Sequence, residues 1–166
     1  MVPYPPKKIL VPVDFSEYST KALKAASNIA RTHNSEMTIL HVVRDPLKEI
    51  AFSGAGAMGA PAAAPFSSES WETLKEEAWQ DGGKGLTEAL LKIPGVENVR
   101  TDLQWGQRPS ENIVQIANDQ GFDLIVMATR GREGMKRLFL GSVAERVIST
   151  TNIPTMVIPV DEQESG

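Results

Sequence analysis

The chain alternates between two patterns, and that alternation limits its fold more than any other feature. Short continuous apolar runs are separated by longer stretches whose apolar residues recur every three or four positions. Ile9, Leu10, Val11 and Val13 form the first run. A run that is apolar on successive residues suits a strand buried on both faces. Pro12 stands near its end, where a missing ladder hydrogen bond is tolerable. Ser16 suits an N-cap. Ala22, Leu23, Ala25, Ala26, Ile29 and Ala30 then recur at helical spacing and predict an amphipathic helix over 17–33.

The same alternation continues down the chain. Residues 36–43, EMTILHVV, read as a second buried strand that Asp45-Pro46 ends. Residues 69–92 read as a long helix with Trp71, Leu74, Ala78, Leu86, Leu90 and Leu91 inward. Gly82, Gly83 and Gly85 are expected to weaken or kink its middle. A third strand is expected over 98–105. Pro109 and Ser110 then open a helix with Ile113, Val114, Ile116 and Ala117 inward. Residues 123–128, DLIVMA, read as a fourth buried strand. A helix over 142–150 carries Val143, Val147 and Ile148 inward, and the last strand falls at 154–159. Strands that alternate with helices pair in parallel through right-handed crossovers. The expectation is an open, doubly wound, Rossmann-like α/β fold: a five-stranded parallel sheet of order 3-2-1-4-5 with helices on both faces.

Composition narrows the possibilities further. A chain of 166 residues, 41% hydrophobic and 23% charged, fits one soluble domain spanning 1–166. Residues 51–68 are rich in Ala, Gly, Pro and Ser, which bury little and lose much entropy on ordering, so a flexible surface loop within the domain is expected. The formal net charge of -4 argues against a general nucleic-acid binder. The absence of cysteine excludes disulfides, thiolate catalysis and Cys-based metal sites, and fits a cytoplasmic location. The N-terminal segment lacks the apolar core of a signal peptide. No window approaches the roughly 20 apolar residues that span a bilayer, so no membrane insertion is expected.

In sheets of this kind ligands sit at the carboxyl ends of the strands, where the strand order reverses. That point lies between the first and fourth strands, which sets Pro12, Val13 and Asp14 beside the loop that starts at Ala128. In that loop Gly131 and Gly134 closely follow the strand, and Gly141-Ser142 opens the next helix. Glycine lets a backbone approach a ligand closely. Amides at a helix N-terminus attract anions, and the Ser142 hydroxyl adds a donor. Arg130, Arg132, Lys136 and Arg137 add positive charge, or form a solvated face. An ordinary turn and cap would use the same residues, so a phosphate site and a plain turn both remain open at this point.

Other motifs fail on context. Gly54 to Gly59 matches G-x-G-x-x-G but lacks the strand before and the helix after that the dinucleotide fingerprint requires. Gly82-Gly83-Lys84-Gly85 lacks P-loop spacing. His33 and His41 form no metal pattern, and His41 reads as structural. No G-x-S-x-G elbow is present. Trp71, Trp79 and Trp105 read as packing residues, since no basic stripe accompanies them.

The chain resembles the universal stress protein family, in its ATP-binding-motif type. The similarity runs from KKILVPVDFS through LHVV to IPTMVIPV. The family motif is G-x-x-G, nine residues, then G-[ST]; here Ala128-Thr129-Arg130-Gly131 is followed by nine residues and Gly141-Ser142, then VAERVI. Ala128 departs from the motif glycine. Its methyl suits an extended backbone and opposes close approach to a ribose. The resemblance implies ATP as ligand, with ADP or AMP as alternatives and Mg on the phosphates. It implies that Pro12, Val13 and Asp14 line the adenosine, Asp14 toward the ribose or a metal-bound water, with helix capping as the alternative role for Asp14. Val42 would meet adenine while also serving the core. Met127 and Ala128 would border the ribose, and Gly131, Arg132, Gly134, Gly141, Ser142 and Val143 would surround the phosphates. The implied function is regulatory, in stress response: phosphate contacts order the loop and alter the surface offered to a protein partner. A homodimer through the last strand is also implied. Hydrolysis would be slow at most, because no general base or nucleophile is recognisable. The alternative is a nucleotide-independent protein-interaction module of the same fold. An adenylyl-transfer enzyme lacks its marks here, with neither S-G-G-x-D-S nor H-I-G-H.

Overall fold

Each apolar run of the sequence is a strand, and each amphipathic stretch a helix. The computed structural model describes residues 4–46, 48–49, 67–129 and 140–159. Along them run β1 (Lys8–Pro12), α1 (Glu17–His33), β2 (Glu36–Val43) and α2 (Ser68–Leu91). They are followed by β3 (Val99–Trp105), α3 (Pro109–Asp119), β4 (Leu124–Ala128), α4 (Ser142–Thr150) and β5 (Thr155–Ile158). All pairings are parallel, and the sheet order is β3-β2-β1-β4-β5.

The two faces of the sheet carry separate cores. Ile9, Val11, Val13, Ile39, Val126 and Ala128 pack with Ala22, Leu23 and Ala26 of α1 and Leu86 and Ala89 of α2. Leu10, Leu40, Ile125 and Met127 pack with Ile113 and Ala117 of α3 and Ala144 and Val147 of α4. Side chains alternate along a strand, so successive residues of β1 serve opposite cores. This explains why its apolar run has no break. Each fully buried Leu, Ile or Val contributes about 1.5–3 kcal/mol relative to exposure. An aspartate at Val126, fully buried, would break the α1 face first.

α1 is bounded by local signals. Its N-cap Ser16 accepts from Ser19 N–H, and Asn34 ends it in the left-handed region at φ 53 with its N–H on Ala30 O. α2 departs from expectation in three ways. It starts at Ser68, capped by Ser67, and so takes the end of the segment expected as loop; residues 50–66 lie outside the described residues. It runs unbroken past its glycines. Gly82 is buried there, and a Cβ on it would lie 2.9 Å from Leu103 Cδ1, so the glycine serves close packing of helix on sheet. Leu91, expected inward, is 77% exposed, as is Ile148 of α4 at 43%. Among the described residues no neighbouring element covers either of them. Among the described residues no helix is long and apolar enough to cross a membrane.

Candidate functional site

β1 lies between β2 and β4, and its two edges differ toward the carboxyl end. Val13 N–H donates to Leu40 O at 2.8 Å, so odd residues of this stretch face β2. Lys8 O accepts from Asp123 N–H at 3.0 Å, so even residues face β4. Pro12 is even, and its missing N–H falls on the β4 side. The β1–β2 register extends to Pro12 with Leu40, whereas the β1–β4 register ends at Leu10 with Ile125. Beyond that pair the ladder between β1 and β4 carries no further register pairs, at the place where the strand order reverses.

The turn after β1 satisfies itself. Asp14 Oδ1 accepts from Ser16 N–H at 3.1 Å and from Ser16 Oγ–H at 2.6 Å. Ser16 Oγ in turn accepts from Ser19 N–H at 3.1 Å. Asp14 therefore has the helix-capping role, and it is half-buried, two residues past the end of β1.

The start of α4 is built differently. Its N-cap is Gly141, at φ -63 and ψ 150, with no side-chain cap hydrogen bond. Gly141 N–H donates to Thr129 O at 2.7 Å, and Thr129 N–H donates to Ile158 O at 3.1 Å. Thr129 thus ties the end of β4 to both the start of α4 and the end of β5. Sequence reasoning missed this residue, because a backbone contact leaves no side-chain signature.

The expected site residues divide by depth and by face. Met127, Val13 and Ala128 are buried, at 4%, 8% and 7% exposure. Val42 is half-buried and packs on the α3/α4 face with Met127. Val13 and Ala128 pack on the α1/α2 face. Ala128 is the last residue of β4 and pairs with Ile158, so its backbone is extended. Its methyl enters the core on the sheet face opposite α4. Pro12, Gly141 and Val143 are half-buried, and Ser142 is exposed. Gly131, Arg132 and Gly134 lie outside the described residues, as do Arg130, Lys136 and Arg137. A cavity of about 600 Å³ opens elsewhere, at the ends of β2 and β3, lined by Asp45, Lys75, Glu76, Trp79 and Trp105 among others. Trp79 and Trp105 stack there with centroids 5.3 Å apart.

A model of the Universal stress protein family matches residues 5–159. The chain belongs to the universal stress protein family. Within this family, universal stress protein MJ0531 of Methanocaldococcus jannaschii is 35% identical over 160 residues, covering 95% of this chain and 85% of the relative. Universal stress protein MJ0577 of the same organism is 34% identical over 160 residues, covering 92% of this chain and 94% of the relative. A solved structure of MJ0577 matches with a TM-score of 0.74 and 29% identity, over 93% of this chain and 96% of that one. A universal stress protein from Archaeoglobus fulgidus, solved in complex with dAMP, shares the fold at a TM-score of 0.53 and 21% identity, over 95% of this chain and 99% of that one.

Proposed function

We propose that this universal stress protein is a cytoplasmic stress-response regulator that binds ATP between β1 and β4, with adenosine toward β1 and β2 and phosphates toward the start of α4. The observation that carries this reading is the end of the β1–β4 ladder at Leu10 and Ile125, on the carboxyl side where α4 starts from a glycine N-cap with no side-chain cap hydrogen bond. Amides of the first turn of α4 and the Ser142 hydroxyl are donors suited to phosphate oxygens. Gly131, Arg132 and Gly134 join them through the motif spacing. Asp14 belongs on the sugar side: its carboxylate accepts from ribose hydroxyls and repels phosphate. Pro12 and Val42 offer apolar surface to the base, and Met127 and Ala128 offer backbone. The extended backbone at Ala128, with its methyl in the opposite core, supports tolerance of alanine there. The dAMP complex of the A. fulgidus protein is consistent with an adenine nucleotide in this fold. Mg2+ is carried on the phosphates, and hydrolysis is slow, so that binding acts as a switch. ADP and AMP share the adenosine and lose phosphate contacts.

The proposed homodimer pairs through β5, an edge strand whose Met156 is 41% exposed. Sedimentation of the unmodified protein at a single dimer mass is the expected result; a monomer at micromolar concentration overturns this part.

Titration calorimetry with ATP, ADP and AMP tests the site. Heat of binding is expected, strongest for ATP, and Gly131→Val abolishes it. No heat, together with no nucleotide retained on purification, overturns the reading.

A further inference from the structure

The turn that carries Val13 and Asp14 is held from behind, on the sheet face opposite α4. His41 of β2 brings its Nδ1 to 2.8 Å from Val13 O. A carbonyl oxygen only accepts, so Nδ1 carries the proton and donates. Val13 N–H already donates to Leu40 O. The imidazole thus secures the second backbone group of the same residue, one step past the end of β1.

Phe15 adds a second contact. Its φ is 64, in the left-handed region that a bulky residue seldom adopts. Its ring lies on the His41 imidazole, centroids 4.2 Å apart and planes 34° apart. It also fits against α2 at Gly85, where a Cβ would stand 2.5 Å from Phe15 Cε2. One turn earlier, a Cβ on Gly82 would stand 3.3 Å from His41 Cδ2. The two glycines therefore leave room for this pair of rings beneath the helix. A left-handed non-glycine residue persists only where its surroundings hold it. Here β1, β2 and α2 converge on it.

We infer that His41, Phe15 and the glycine face of α2 form a clamp that positions the Val13–Asp14 turn for the nucleotide. His41 is a positioning residue for the ligand, acting through the Val13 carbonyl. The inference rests on the nucleotide reading given above.

Two variants separate the donor from the ring. His41→Phe keeps an aromatic ring beside Phe15 and removes the N–H. His41→Asn keeps a donor at the position of Nδ1 and removes the ring. A clamp acting through the carbonyl weakens ATP about tenfold in His41→Phe and leaves His41→Asn within about threefold of the unmodified protein. Gly85→Ala pushes on the Phe15 ring from α2 and weakens ATP with His41 intact. Amide exchange at residues 14–16 rises in His41→Phe and returns in His41→Asn, while amides of α3 and α4 keep their protection. Should His41→Phe fail to fold, His41→Leu, which matches asparagine in shape and lacks the donor, carries the comparison with His41→Asn. ATP bound equally well by the unmodified protein and His41→Phe overturns the clamp and leaves the nucleotide reading standing. His41→Asn as weak as His41→Phe overturns the role of the hydrogen bond. An unmodified protein that takes up no ATP, ADP or AMP ends the nucleotide reading, and the positioning role falls with it.

Discussion

α1 and α4 both begin at the carboxyl edge of the sheet, the one after β1 and the other after β4, and their N-termini are finished in opposite ways. At α1 a relay from Asp14 through Ser16 to Ser19 occupies the amides of Ser16 and Ser19 and sets a carboxylate at the positive end of the helix dipole. At α4 the cap is glycine, which brings no side chain, and its own N–H is spent on Thr129. One start is already served by an anion of the protein. Among the described residues, the other is finished by backbone alone. The difference gives the proposed ligand a polarity: phosphate at α4, hydroxyl-bearing sugar at α1.

The comparison breaks most visibly if α4 is given the finish that α1 has. Gly141→Asp sets a carboxylate where phosphate is proposed to lie. ATP affinity should fall about 100-fold, equal to about 2.8 kcal/mol, when measured by calorimetry. Tm should hold or rise, since aspartate is at least as good an N-cap as glycine. Unchanged affinity would place the phosphates elsewhere.

Removing the finish of α1 is the converse. Ser16→Ala deletes the hydroxyl that joins Asp14 to Ser19. The expected loss is about 1 kcal/mol of stability, a fall of about 3 °C in Tm on thermal melting. An unshifted Tm would mean that the relay does not hold the helix start.

Ala128→Gly sharpens the same picture from the end of β4. Glycine within a strand costs about 0.5–1 kcal/mol, and the lost methyl leaves the α1-face core. ATP affinity should stay unchanged because that methyl lies on the face away from α4. A gain of about tenfold would show that it meets the ribose. The smallest effect belongs to Ser142→Ala. Loss of one exposed hydroxyl should weaken ATP about threefold with no change in Tm, and equal binding would remove Ser142 from the site.

Much of this molecule was legible in its residues. The strand runs, the α1 cap at Ser16 and the sheet order follow from periodicity and connection rules, which act over a few residues or on topology alone. The capping role of Asp14 could be read beside its proposed ligand role because an acidic residue two before a serine cap bonds locally. Thr129, Phe15 and His41 were not legible in this way. Their partners are Gly141, Gly85 and Val13, which no short-range pattern links to them. Leu91 and Ile148 were misjudged for a related reason: a helical stripe tells which residues share a face, and only the neighbouring elements determine how far around that face the cover extends.

The amino-acid sequence by itself determined that strands buried on both faces would alternate with helices, because uninterrupted apolar runs cannot rest on a sheet with one wet side. It also determined, through the connection rules, that the strand order would reverse between the first and fourth strands. Which edge of β1 lacks the Pro12 N–H, only the tertiary structure decided, through the hydrogen bonds of β1 to β2 and β4. Tertiary packing likewise turned the Ala128 methyl into the core, brought Phe15 under Gly85 and tied the Gly141 start of α4 to Thr129. These outcomes depend on residues far apart in the chain meeting at fixed distances. Such distances arise only when both faces of the sheet are packed.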